Sequence, residues 1–206
     1  MPYRVILASS SPARLKTLRA AGVFPDVVVP GVDETTDEPG TESRVRAIAL
    51  RKGEAARALL GETPGEPTVL IAADTMLDMA GVSYGKPHNA DVARDRLRAM
   101  SGSSGVLYTG HYVAVTHGGP WLRSVDVAAT IVRFAAMTTD EIEAYLATGE
   151  PLEVAGSFTI DGLGGPFISR IEGDPHNVVG LSLPLLRVML DGLSVPWTDL
   201  WAPFRP

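Results

Sequence analysis

The sequence predicts an α/β protein built on a mixed, elongated β-sheet flanked by helices. Three observations predict it. Compact apolar runs that end in polar turns alternate with helical periodicity through the first 75 residues. Two long β-patterned segments then flank His117-Gly118-Gly119-Pro120, as in an antiparallel hairpin. A last strand and helix close the pattern between Phe167 and Leu190. Strand–helix units joined to a hairpin give a sheet of mixed direction.

Each element has a local reason. Tyr3 to Ala8 is an apolar run that ends in three serines, so a buried strand leads into a turn. Ser11 offers an N-cap hydroxyl, Pro12 suits the first helical position, and Leu15 and Leu18 repeat at helical spacing up to Gly22. Phe24 to Val29 is β-branched and reads as a strand, followed by an acidic loop from Gly31 to Gly40. Ser43 to Leu60 is the clearest helix, with Val45, Ile48, Ala49, Ala56 and Leu59 on one stripe that also carries Lys52. Thr68 to Ala73 reads as a strand ending at the polar pair Asp74-Thr75. Ala80-Gly81 marks a hairpin turn towards Tyr84-Gly85-Lys86-Pro87. Asn89 caps a helix carrying Val92, Ala93, Leu97 and Met100, which stops at Ser101-Gly102. Val106 to Thr116 and Leu122 to Phe134 form the long hairpin. Thr138 and Glu141 have capping-box spacing for a helix that runs through Ala147 to Gly149. A Gly-rich stretch from Gly156 to Gly165 precedes a strand near Phe167 to Ile171, and a helix around Leu185 to Leu190 is the last regular element.

Composition narrows the function classes. A chain of 206 residues with 45% hydrophobic and 20% charged residues buries a sizeable core. A net charge of −6 argues against sequence-blind nucleic-acid binding, which needs a basic face. The absence of cysteine excludes disulfides, thiolate metal sites and Cys nucleophiles. The stretch Met1-Pro2-Tyr3-Arg4-Val5-Ile6-Leu7 is too short for a secretory apolar region, and no window approaches a membrane span. A cytoplasmic protein without a nucleic-acid or membrane partner is expected.

Five features attract attention for their chemistry. Backbone N–H groups at the start of the first helix, with the hydroxyls of Ser9 and Ser11, make an anion site to which Arg14 adds a charge-assisted fork. Such a turn also serves simply to start a helix. Asp33-Glu34 offers hard oxygens suited to Mg²⁺, or is a solvated acidic loop. Lys52, on an apolar stripe, either snorkels past the core or reaches into a cleft. Asp74, at the expected end of its strand, falls where α/β proteins collect ligands, and a carboxylate there holds a metal, orients a water, or caps a turn. Lys86 is a cation on a stiff loop, or an exposed loop lysine. His88, His111, His117 and His176 lack metal-ligand spacing and read as structural or exposed. Walker A and dinucleotide-binding signatures are missing.

Read together, the segments Leu7 to Arg14, Val32-Asp33-Glu34-Thr35, Ala49 to Lys52, Ala73-Asp74-Thr75, Gly85-Lys86-Pro87, Met100-Ser101-Gly102, Tyr108-Thr109-Gly110, Ala155 to Phe158 and Ile171 to Leu181 resemble the Maf family of nucleoside triphosphate pyrophosphatases. The resemblance implies one domain over residues 1–206, with two lobes about a central cleft and a fold similar to that of inosine triphosphate pyrophosphatases. It also implies conversion of a nucleoside triphosphate to the monophosphate and pyrophosphate with Mg²⁺ or Mn²⁺, and a homodimer. Asp74 then matches the proton acceptor and shares the metal with Glu34, while Ser9, Arg14, Lys52 and Lys86 match the phosphate site. Base preference in the family divides at positions matching Ala13, Thr75 and Asp161. This chain's Ala-Thr-Asp fits neither the Arg-Thr-Gln of the dTTP/UTP group nor the Trp-Gln-Glu of the 7-methyl-GTP group. Pyrimidine and modified nucleotides both remain open. Gly105, where the family often has His, and Ser182, where it usually has Pro, are expected to be structural changes. Two other readings stand beside hydrolysis to pyrophosphate: a regulatory nucleotide-binding protein that arrests septum formation, and a phosphatase releasing orthophosphate.

Overall fold

The computed structural model describes residues 3–61 and 65–201. Met1 and Pro2, part of the N-terminal stretch considered above, lie outside the described residues. The order of regular elements is β1 (Arg4–Ala8), α1 (Pro12–Ala20), β2 (Asp26–Val28), α2 (Thr41–Leu60), β3 (Thr68–Met79), β4 (Val82–Tyr84), α3 (Ala90–Met100), β5 (Ser104–Thr116) and β6 (Leu122–Phe134). α4 (Thr139–Ala147), β7 (Ile168–Glu172), α5 (Pro175–Val179) and α6 (Leu183–Gly192) follow, with short 3₁₀ turns between them and a last one at Trp197–Leu200.

The expected caps are present. The Ser11 hydroxyl accepts from the Arg14 N–H at the start of α1, and Asn89 accepts from the Val92 N–H at the start of α3. Thr138 and Glu141 form the reciprocal capping box of α4. Ala80 and Gly81 both have positive φ, the backbone demanded by a tight two-residue hairpin. Ser182 caps α6 through the Leu185 N–H. Gly105 has no room for a side chain, since a Cβ would lie 2.5 Å from the Met79 sulfur and 2.7 Å from the Asp78 carbonyl oxygen.

Seven strands form one mixed sheet in the order β2-β1-β3-β5-β6-β7, with β4 added on β3. β1 runs parallel to β2 and β3, and the remaining pairs are antiparallel. One expectation is corrected here. β3 does not stop at Asp74-Thr75 but continues to Met79, because β5 supplies a partner along its whole length, from Thr68↔Thr116 to Asp78↔Val106. The opposite edge of β3 is shared. β1 covers it only as far as Ala8↔Ala72, and β4 takes over at Leu77↔Tyr84. Residues 73–76 face a gap between those two strands. Asp74 is therefore mid-strand, exposed to a ligand by the ending of its neighbour rather than its own.

Alternation along the strands sorts the core. Val5, Leu7, Val69, Ile71, Val113 and Val115 pack on one face with α1 and α6, whereas Ile6, Ala8, Leu70, Ala72, Tyr112 and Ala114 pack on the other with α2. A further cluster unites Leu77, Met79, Leu107 and Val132 with α3 and α4. α2 crosses β5 closely: a Cβ on Gly110 would lie 2.2 Å from the Val45 carbonyl oxygen, and one on Gly53 would lie 2.2 Å from the Tyr112 ring. Two side chains depart from expectation. Leu59 is 68% exposed, and Val92 lies at the solvent edge of its helix. Both sit on the flank of an apolar stripe wider than the surface that covers it. The five-residue α5 also went unforeseen, being too short to carry helical periodicity. No described helix is long and apolar enough to cross a membrane.

Candidate active site

A cleft of about 840 Å³ opens at the gap in the sheet, and every residue singled out for the site lines it: Ser9, Ser11, Ala13, Arg14, Glu34, Lys52, Asp74, Thr75, Lys86 and Asp161. Strand parity decides what each side chain meets. Asp74 follows Leu70 and Ala72 onto the α2 face, and Thr75 follows Ile71 and Ala73 onto the α1 face.

On the α2 face, Lys52 donates to Asp74 Oδ1 at 2.7 Å and pairs with Glu34 Oε1 at 2.9 Å. The lysine expected to snorkel or to reach inward reaches inward. Asp74 is 6% exposed, and its Oδ2 is buried without a hydrogen-bond partner among the described residues. An orphaned buried carboxylate oxygen is costly to keep, so its place at the cleft is a functional signal. Asp33 turns away from the site and binds Thr35 through both its backbone N–H and its hydroxyl, which hold the carboxyl below the usual carboxylate range.

On the α1 face, Arg14 is 9% exposed and committed inside the protein. Its Nε donates to the Gly180 carbonyl at 2.8 Å, Nη1 to Ser9 Oγ at 3.0 Å and Nη2 to Thr75 Oγ1 at 2.9 Å. Burial lowers its pKa from the ordinary value, opposed by the Asp74 and Glu34 carboxylates. The fork expected to point at an anion thus ties three segments of the cleft wall together. Its charge still bears on the site. Thr75 passes the network on: having accepted from Arg14, its hydroxyl donates to Thr109, which in turn donates to the Asn177 carbonyl. Asn177 is fully buried and donates to Leu107 O and Thr130 Oγ1.

His111 completes this layer. Its Nδ1 lies 2.9 Å from the Thr109 carbonyl and its Nε2 lies 2.9 Å from the Ser182 N–H. A carbonyl only accepts and an N–H only donates, so the ring is neutral and protonated on Nδ1. Burial pushes its pKa down from 6.5 to about 4. Between those values the unfolded chain binds the extra proton and the folded one does not, so stability is full above pH 6.5 and falls as pH drops to 4. The loss expected from this residue is roughly 3 kcal/mol. Denaturant titrations across this range check it, and the corresponding part of the slope is expected to vanish in His111→Gln.

The remaining candidates are more open. Lys86, on the loop after β4, is exposed to the cleft and makes no hydrogen bond or ion pair among the described residues. Asp161 is exposed and pairs with Lys16 at 3.1 Å. Ala13 and the apolar side chains of Ile160, Phe158, Val178 and Val179 also line the cleft. Several residues that shape the site escaped the sequence reading: Gly180, which holds Arg14; Thr109 and Asn177, which carry the network; and Lys16. Their roles depend on partners between 34 positions away, as for Thr75 and Thr109, and 166 positions away, as for Arg14 and Gly180. No group of three or more His, Asp or Glu residues that could hold a metal occurs among the described residues.

Comparison with known sequences agrees with this architecture. The family model described as Maf-like protein matches residues 4–193. Proteins named nucleoside triphosphate pyrophosphatase are similar over almost the whole chain. One from Salinispora tropica is 50% identical over 204 residues, covering 98% of this chain and 89% of its own. One from Cutibacterium acnes is 47% identical, covering 95% and 93%. One from Streptomyces coelicolor is 47% identical, covering 97% and 95%. With 190 of its residues, 4–193, matched by that family model, the chain belongs to the Maf-like proteins.

Proposed function

We propose that this protein is a hydrolase that converts a nucleoside triphosphate to the monophosphate and pyrophosphate, with Asp74 accepting the proton of the attacking water. The observation that carries the role of Asp74 is the asymmetry of its carboxylate. Oδ1 is fixed by Lys52, while Oδ2 is buried and unpartnered at the cleft. A base must be held still and keep one lone pair free, and this arrangement supplies both. The names of the similar proteins support the reaction.

The cleft divides by chemistry. Among its lining residues, Ser9, Lys52 and Lys86 suit phosphates, and the apolar Ala13, Ile160 and Val179 suit a nucleobase. The Ser9 hydroxyl accepts from Arg14 and from the Ser11 N–H, which leaves its own proton for a phosphate oxygen. Water attacks the α-phosphorus, its proton passes to Asp74 Oδ2, and the bond from the α-phosphorus to the bridging oxygen breaks. Pyrophosphate departs against Lys52 and Lys86, which offset its growing negative charge. Thr75 and Asp161 border the base, and pyrimidine and modified nucleotides are the candidates.

A divalent ion fits these residues. Arg14, Lys52 and Lys86 face Glu34 and Asp74, so little net positive charge meets the several negative charges of a triphosphate. Glu34 and Asp74, drawn together on Lys52, would hold Mg²⁺ or Mn²⁺, which usually takes one or two carboxylates together with phosphate oxygens and water. When bound, the ion supplies further neutralisation of phosphate charge. The test is a panel of nucleoside triphosphates with Mg²⁺, with Mn²⁺ or with chelator, scored for pyrophosphate and orthophosphate. Pyrophosphate is expected in equal amount to the monophosphate, with a loss of at least about 100-fold in chelator. Orthophosphate as the product, or no product from any nucleotide with metal present, overturns the reading. The second outcome would favour a regulatory binding role.

A further inference from the structure

Behind the cleft wall, Glu150 gathers four donors, three of them from the segment that carries Asp161. Tyr145 donates its hydroxyl to Oε1 at 2.9 Å, the Leu163 N–H reaches Oε2 at 3.0 Å, and the Gly164 N–H reaches Oε1 at 3.1 Å. The Thr159 hydroxyl is the fourth donor. The backbone wraps tightly around this carboxylate. A Cβ on Gly162 would lie 2.6 Å from Glu150 Oε2, and one on Gly164 would lie 2.5 Å from the Tyr145 hydroxyl. Glu150 itself does not line the cleft, but Thr159, Ile160 and Asp161 do. Asp161 is in turn paired with Lys16 at 3.1 Å.

We propose that Glu150 is a positioning residue for substrate selection, clamping loop 159–164 so that Ile160 and Asp161 present a fixed wall to the nucleobase. This rests on the reaction proposed above. An ionised carboxylate accepts only, with about four lone-pair sites, and here it meets four donors. Burial works against ionisation, but the hydrogen bonds from Thr159, Leu163, Tyr145 and Gly164 outweigh it and hold the carboxyl below its usual range. The clamp is therefore charged and complete at neutral pH. A loop of glycines without such an anchor would sample many backbone states, and a base-reading wall needs one.

Glu150→Gln keeps the shape but turns one acceptor oxygen into an NH₂ that faces donors. Two readouts separate positioning from mere structure. In hydrogen exchange, the Leu163 and Gly164 amides are expected to be protected in the unsubstituted protein and to exchange at least about tenfold faster in E150Q. In kinetics, the ratio of kcat/KM between the two best triphosphates is expected to shift at least about threefold through KM, with kcat on the better one changed by less. Tyr145→Phe removes one donor to Glu150 together with the acceptor of the Thr159 N–H, and is expected to move both readouts the same way by smaller factors should E150Q fail to fold. Faster amide exchange with unchanged selectivity overturns the role of Glu150, as does exchange that stays as slow as before. Absence of pyrophosphate release by the unsubstituted protein instead overturns the reaction, and the base-facing role with it.

Discussion

Asp74→Asn is expected to lower kcat for pyrophosphate release by about 10³-fold, within the range that a general base contributes. KM is expected to change little, because the phosphate-binding groups remain. Asn still presents an oxygen to Lys52, so the 2.7 Å contact survives without the charge. What disappears is the free lone pair on a carboxylate oxygen that is buried and unpartnered. Thermal unfolding is expected to stay close to that of the unsubstituted protein, which separates lost chemistry from lost fold. Steady-state kinetics and a melting curve on one preparation check both points. Activity within tenfold of the original would sink the role of Asp74.

Arg14→Ala is expected to give the largest loss of stability. The side chain is 9% exposed and spends its three hydrogen bonds on Gly180, Ser9 and Thr75. Truncation leaves a buried carbonyl and two hydroxyls short of a donor, and charge-assisted bonds of this kind contribute about 1.5–3 kcal/mol each before relaxation. A total near 4 kcal/mol is expected, or a fall in Tm of roughly 10 °C for a chain of this size. Arg14→Lys should recover little, since an ammonium cannot span three acceptors set around a planar fork. Calorimetry on both variants tests this. A melting temperature unchanged in Arg14→Ala would mean that the guanidinium does not hold the wall, and that its contribution is charge alone.

The sequence was legible wherever one residue type answers a purely local demand. Ser11, Asn89 and the Thr138–Glu141 pair cap helices as read, because capping involves backbone within three positions. The long hairpin was equally plain, since both its strands carry β-branched runs on either side of a Gly-Gly-Pro turn. Asp74 was singled out from the sequence, but with the wrong geometry. A polar pair after five apolar residues looks like the end of a strand when viewed along the chain. Whether the strand in fact ends depends on β5, which begins some thirty residues later and pairs with β3 through Asp78↔Val106. Arg14 was recognised as a cation of the site, but its engagement with Gly180 lies 166 residues away and could not be read. Glu150 was passed over, because three of its four donors come from a turn that looks merely flexible in sequence.

By itself, the sequence determined the class of fold and the order of its longer elements, because periodicity and capping are short-range effects, and its motif segments named polar residues that meet at one cleft. Tertiary structure decided which of those residues touch. The neighbours β1 and β4 leave residues 73–76 uncovered, and strand parity sends Asp74 to Lys52 on one face and Thr75 to Arg14 on the other. Hydrogen-bond partners across a sheet are set by register and by where adjacent strands stop, and both are properties of the assembled sheet rather than of any one segment.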